Sequence, residues 1–162
     1  MLATVFILSL LPSCKSHKSL KPETGQRVET IQVSPSSKTQ SSVVEEAYSW
    51  IGTPYRYAKA EKGVGTDCSG MVMMVYETAT GRKIPRNSAK QAEFCEKVSE
   101  GKVKAGDLVF FATGKDPERV SHVGIVVDSE QFIHASSSKG VVVSLLTSPY
   151  YRKHFLMFGK VP

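Results

Sequence analysis

The 162-residue chain has few cysteines, no long apolar run and no internal repeat, and each shortage removes a class of protein. Its three cysteines, Cys14, Cys68 and Cys95, are an odd number at no regular spacing. A disulfide framework therefore does not hold the fold, and at least one thiol has another task. The spacing from Cys68 to Cys95 is 27 and from His122 to His134 is 12, whereas structural zinc sites bring ligands in close pairs such as C-x2–4-C or H-x3–5-H. No metal is expected on that ground, and no other cofactor is indicated. The formal charge of +6 comes without a basic run or a basic-aromatic alternation. That argues against nucleic acid and leaves an anionic polymer or a membrane surface as the suitable partner.

The chain does have enough apolar residues, 41%, for one domain with an appendage. Leu2 to Leu11 is a ten-residue apolar stretch, too short to cross a bilayer but of the length of a secretory h-region. It ends in Leu11-Pro12-Ser13-Cys14, which resembles a bacterial lipobox. That resemblance implies a signal peptide over 1–13, lipidation of Cys14, export, and anchoring to a membrane face towards the periplasm or cell wall. From Lys15 to Gln40 the chain carries Lys15, Lys18, Lys21, Arg27 and Lys38 against only Glu23 and Glu29, with few large apolar side chains. Too little apolar surface is available there to offset the entropy of ordering, so 14–40 is expected to be a flexible tether.

The folded domain is expected over 41–162. Ser42-Val43-Val44-Glu45 fits a capping box, and Val43, Val44, Ala47, Trp50 and Ile51 recur at helical spacing until Gly52. A second helix is predicted from about Cys68 to Thr78, and a third from the capping box Ser88-Ala89-Lys90-Gln91 to about Lys97. The texture then turns to β, with apolar runs at 108–112, 122–127, 131–135, 140–144 and 155–158. Helices followed by about five strands predict an α+β domain with an antiparallel sheet and helices on one face.

Within it, Gly65-Thr66-Asp67-Cys68-Ser69-Gly70 places a cysteine between a glycine-containing loop and an apolar run, the setting of a nucleophile at a helix N-terminus. Helix dipole and free N–H groups there favour a thiolate and lower its pKa. Taken alone, Cys68 could equally be a buried small hydrophobe; Cys95 lacks the glycine setting and reads as a packing residue. His122 and His134 fall on neighbouring predicted strands, about 4.8 Å apart. One imidazole can thus serve as base while the other holds its tautomer.

Several pieces together carry a resemblance. Gly52-Thr53-Pro54-Tyr55-Arg56-Tyr57, Asp67-Cys68-Ser69-Gly70, Pro85-Arg86-Asn87-Ser88 with Gln91, Ala105-Gly106-Asp107-Leu108-Val109-Phe110-Phe111, Ser121-His122-Val123-Gly124-Ile125-Val126 and Phe132-Ile133-His134-Ala135 stand in the order seen in the NlpC-type cell-wall cysteine peptidases, a papain-like family. The resemblance implies Cys68 as nucleophile, His122 as general base and His134 as its orienter, acting on peptidoglycan stem peptides between D-glutamate and a diamino acid. It also implies that Tyr55 faces the cysteine and that Asp67, Ser69, Arg86 and Ser88 contact the stem peptide. A monomer is expected. After Tyr57, Ala58-Lys59 stands where the family usually has a glycine pair. Two other readings remain open: a catalytically silent wall-binding lipoprotein on the same fold, and a related thiol amidase or acyltransferase.

Overall fold

A computed structural model of the protein describes residues 37–162, so the signal segment, Cys14 and most of the tether lie outside the described residues. The first helix, α1 (Lys38–Tyr48), begins four residues ahead of Ser42, because Ser37 caps it by accepting from the Gln40 N–H. A two-stranded ribbon, β1 (Ala60–Glu61) and β2 (Gly65–Thr66), precedes α2 (Cys68–Thr80). Gly81, at φ 72°, closes α2 in the left-handed conformation that suits glycine at a helix end.

Helix α3 (Ser88–Phe94) is shorter than the capping pattern predicts. Asn87 takes the cap, accepting from Ala89 and Lys90, and Cys95 turns to an extended conformation. The following residues form an edge strand, β3 (Glu96–Val98), paired with the C-terminal strand. Local helix preference is overridden there by a ladder with a partner some sixty residues away in sequence, which periodicity does not register. The sheet therefore has six strands where the sequence predicts five.

The remaining strands are β4 (Leu108–Phe111), β5 (His122–Val126), β6 (Gln131–Ser136), β7 (Gly140–Leu145) and β8 (Phe155–Lys160). A short helix α4 (Pro149–His154), capped by Ser148 with proline in its first turn, joins β7 to β8. The sheet order is β3-β8-β4-β5-β6-β7, and every pairing is antiparallel. Alternation along the strands makes two cores. Leu108, Phe110, Val123, Ile125 and Ile133 pack under α1 and α2 with Val43, Met71, Val72 and Val75. Val109, Phe111, Val126, Phe132 and Phe158 form the second core on the opposite face.

The paired part of β5 and β6 is short, covering Ile125 with Ile133 and Val126 with Phe132. Gly124 permits the close approach: a Cβ there would lie 2.6 Å from the Phe132 ring and 2.8 Å from the Ile133 carbonyl. Glycine at this position lets Phe132 and His134 sit against β5, and any side chain would push the two strands apart.

Candidate active site

Asp67 organises the approach to Cys68. Its carboxylate caps α2 by accepting from the Gly70 N–H at 2.8 Å, and it accepts both arms of the Arg86 guanidinium at 2.8 Å each. The Ala58 N–H adds a bond of 2.9 Å, and the Ser69 hydroxyl one of 3.3 Å. Burial alone would raise the Asp67 carboxyl; the Arg86 fork and the two N–H groups outweigh it and hold the group below its usual value. Arg86 also reaches the Lys59 carbonyl, while Gln91 donates to the carbonyls of Ser69 and Pro85. These residues clamp the first turn of α2 to the ribbon and to α3, which fixes where Cys68 points.

Ala58 occupies the place of the expected glycine pair, and it is the one non-glycine residue among those described with positive φ, at 60°. A left-handed alanine costs about 1–2 kcal/mol, and its bond to Asp67 over-determines the turn. Ala58→Gly is expected to raise stability by about 0.5–1 kcal/mol, the relief of strain exceeding the added freedom of the unfolded chain. Chemical denaturation of the two proteins checks this.

The two histidines stand on the same face as Phe111, Phe132 and Tyr151. Val123 and Ile125 take the helix-packed side, and alternation sends His122 to the other. Contact with Cys68 is made at the start of β5, beyond its ladder with β6. There the Val123 N–H is directed at the Cys68 sulfur, and Cys68, His122, His134 and Tyr55 line one cleft of about 650 Å³.

His122 Nε2 lies 2.9 Å from His134 Nδ1, with the rings 4.9 Å apart and nearly perpendicular. His122 Nδ1 is thereby left for the thiol. His134 is almost wholly buried; Phe132 stacks on it, and its Nε2 meets Ser144 Oγ at 2.9 Å and the Tyr151 hydroxyl at 3.0 Å. Ser144 also hydrogen-bonds the Tyr151 phenol. One direction of hydrogens runs through the chain of contacts: His122 Nε2–H donates to His134, His134 Nε2–H to Ser144, and the Ser144 O–H to Tyr151, with the Tyr151 oxygen standing beside the same His134 N–H. In that direction His122 Nδ1 is a bare acceptor, as a base requires. Neither Ser144 nor Tyr151 is legible as a site residue in the sequence. A serine on an alternating strand and a tyrosine after a Ser-Pro cap carry no spacing signal.

Burial raises the Cys68 thiol; the N–H groups of Val123, Ser69 and Cys68 itself oppose it without overcoming it, and the Asp67 charge adds to the rise. Burial likewise pushes His122 down to about 4 and His134 to about 3. This revises the expectation of a thiol lowered by the helix end. With the thiol raised and both imidazoles lowered, burial favours the neutral forms of all three groups. Tyr55 is raised by burial and by Cys68 and Asp67, which keeps its hydroxyl protonated and able to donate. A second cavity of about 430 Å³, which shares Tyr55, Cys68 and Ser121 with the first, is lined also by Tyr57, Asp67, Ser69, Arg86 and Ser88. The residues expected to contact substrate thus converge on one recess. Asp67, Ser69 and Arg86 are at the same time bonded to one another.

Comparison with known proteins relates this chain to cell-wall peptidases. The profile of the NlpC/P60 family matches residues 52–160. The chain is 36% identical to the probable endopeptidase NlpC of Escherichia coli over 90% of its own length and 89% of that protein's. It is 31% identical to the murein DD-endopeptidase MepS/murein LD-carboxypeptidase of Escherichia coli, over 95% and 86%. The crystal structure of the NlpC/p60 domain of the peptidoglycan hydrolase SagA superposes with a TM-score of 0.65 at 32% identity, covering 75% of this chain and 97% of that one.

Proposed function

The chain belongs to the NlpC/P60 family and is a cysteine-type peptidoglycan hydrolase, and on that premise we propose that Cys68, His122 and His134 cleave a stem-peptide amide through an acyl-thioenzyme. The observation that carries this reading is the hydrogen-bonded pair His122 and His134 in the same cleft as Cys68. His122 takes the Cys68 proton on Nδ1 as sulfur attacks the scissile carbonyl. The oxyanion is met by the Cys68 N–H at the start of α2 and by the Tyr55 hydroxyl. His122 then delivers its proton to the departing amine, and water, activated by the same nitrogen, releases the acid and restores the thiol.

A substrate crossing Cys68 would lie between the two recesses. Arg86 and Ser88 would meet the acyl side through the smaller cavity, and the larger cleft would take the amine side. We assign the scissile bond to D-glutamyl and a diamino acid. Support comes from the Arg86 guanidinium at the rim of the smaller recess, more than a third exposed despite its pairing with Asp67. It can meet a substrate carboxylate there. A cell-wall hydrolase acts beyond the cytoplasmic membrane, so the protein is exported. Lipidation of Cys14 is proposed as the means of anchoring, on the Leu11-Pro12-Ser13-Cys14 ending.

Digestion of purified muropeptides under reducing conditions, with products identified by mass spectrometry, tests the assignment. New D-glutamyl C-termini and free diamino-acid N-termini are expected. Cleavage after D-alanine instead would overturn the bond, leaving the thiol chemistry standing. No product at all would sink the enzymatic reading in favour of a wall-binding role.

A further inference from the structure

A further recess of the described domain shares no lining residue with the catalytic cleft or with the smaller cavity beside it. It has a volume of about 740 Å³ and is lined by Arg82, Lys97, Lys102, Lys104 and Lys160, with Asp107 as its one acidic side chain. The five cations are exposed, and none makes an ion pair among the described residues. The Asp107 carboxylate is turned into the turn that precedes β4, where it accepts the Lys104 N–H at 2.8 Å. The five cations repel each other around a single lining carboxylate, whose charge acts on Lys104 and Lys160, so the positive charge of the recess is only partly countered within it. An anionic ligand of dispersed charge would supply the rest.

The position of the recess says which anion suits it. It touches Tyr76 and Thr80 at the C-terminal end of α2, whereas Cys68 begins that helix. The helix holds thirteen residues, so its end residues are twelve steps apart, about 18 Å at 1.5 Å per residue. Strand β5 runs the same way, from His122 at the cleft to Val126, which bonds Gly106 and Asp107 at the recess. The described chain also enters at this end, with Ser37 and Thr39 on the rim, and Cys14 lies 23 residues ahead of Ser37 in sequence.

We propose that this recess is a docking face for the phosphate headgroups of an anionic bilayer. Docked so, the domain turns its catalytic cleft away from the membrane towards the wall, and the chain leaves it on the membrane side. Basic side chains near an anionic surface act roughly additively and are screened by salt. Docking does not need the acyl chain, so failure of lipidation at Cys14 and failure of this face are separate results. Neither bears on cleavage of muropeptides in solution.

The full chain carrying Cys14→Ser is sedimented with vesicles of pure phosphatidylcholine and with vesicles containing phosphatidylglycerol. Preference for the anionic vesicles is expected, lost at high salt. The variant K97Q/K102Q/K104Q should lower the anionic-vesicle affinity about 100-fold; K62Q/K90Q/K153Q removes the same charge elsewhere and should change it only a few-fold. Thermal melts of both variants establish that each is folded. Equal losses from the two variants would overturn the proposal, because net charge and not this recess would then drive binding. Saturable micromolar binding of soluble glycerol phosphate that releases the protein from vesicles would overturn it too, by marking a small-phosphate site.

Discussion

Cys68→Ala will lower cleavage of muropeptides by at least about 10⁴-fold while leaving the protein folded and able to bind substrate. Removing the nucleophile of a catalytic unit costs nearly all of its acceleration, because base and orienter have nothing left to activate. Folding should be almost untouched. The carboxylate of Asp67, not the thiol, caps α2, and the clamp through Arg86 and Gln91 does not involve sulfur. The same chemistry separates the two described cysteines. Burial pushes the Cys95 thiol up to about 12, aided by the Asp107 charge, and Cys95 does not line the catalytic cleft. Cys68 is also raised by burial, yet it has His122 to take its proton and the Val123 N–H to receive the developing charge. Iodoacetamide near pH 7 is therefore expected to alkylate Cys68 first, with loss of activity following its modification by mass. Wild-type turnover in Cys68→Ala would end the nucleophile assignment.

Much of this site could be read from one-dimensional pattern because its parts lie at element boundaries. Asp67-Cys68-Ser69-Gly70 is both a helix start and a nucleophile turn, and His122 and His134 open and occupy strands whose apolar alternation is plain. The α+β class followed from helices preceding strands, and its papain-like form was implied by the resemblance of the ordered motifs. What escaped depends on contacts between distant segments. β3 reads as helix until β8 pairs with it, and α1 gains its first turn from a serine embedded in a polar stretch. Which face of β5 carries His122 could not be taken from the strand alone, since both faces of the sheet are covered by apolar cores. The depressed thiol pKa expected of a helix N-terminus failed for a related reason. The dipole is a local property, but desolvation is set by what the whole fold lays over the sulfur. Asp67 and Arg86 show a third limit: the family resemblance implies that both contact substrate, whereas their mutual ion pair appears only once both have been placed.

His134→Ala should cost about 10²–10⁴ in turnover and move the acid limit of activity upward. In the proposed mechanism His122 works as a base only in its neutral form with the hydrogen on Nε2, and His134 Nδ1, 2.9 Å away, is the acceptor that would select that tautomer. In the wild type, burial holds His122 at about 4, so the acid limb of kcat/KM should lie near that value and not near the ordinary 6.5. Alanine at 134 admits water beside His122, relieves its desolvation, and lets the limb rise towards 6.5. Tyr151→Phe is the milder companion. Ser144 still accepts from His134, so a loss within about tenfold and an unmoved acid limb are expected. Stability follows the same linkage. Both folded-state values are depressed, so the unfolded chain binds more protons in acid. The stabilising contribution of the neutral pair is complete above about pH 6.5 and is lost as pH falls through about 4 and then 3. Denaturant melts at pH 7, 5 and 4 should show this decline in the wild type and a shallower one in His134→Ala. Rate profiles of the two proteins that coincide in height and in acid limb would remove His134 from the mechanism and leave it a packing residue beneath Phe132.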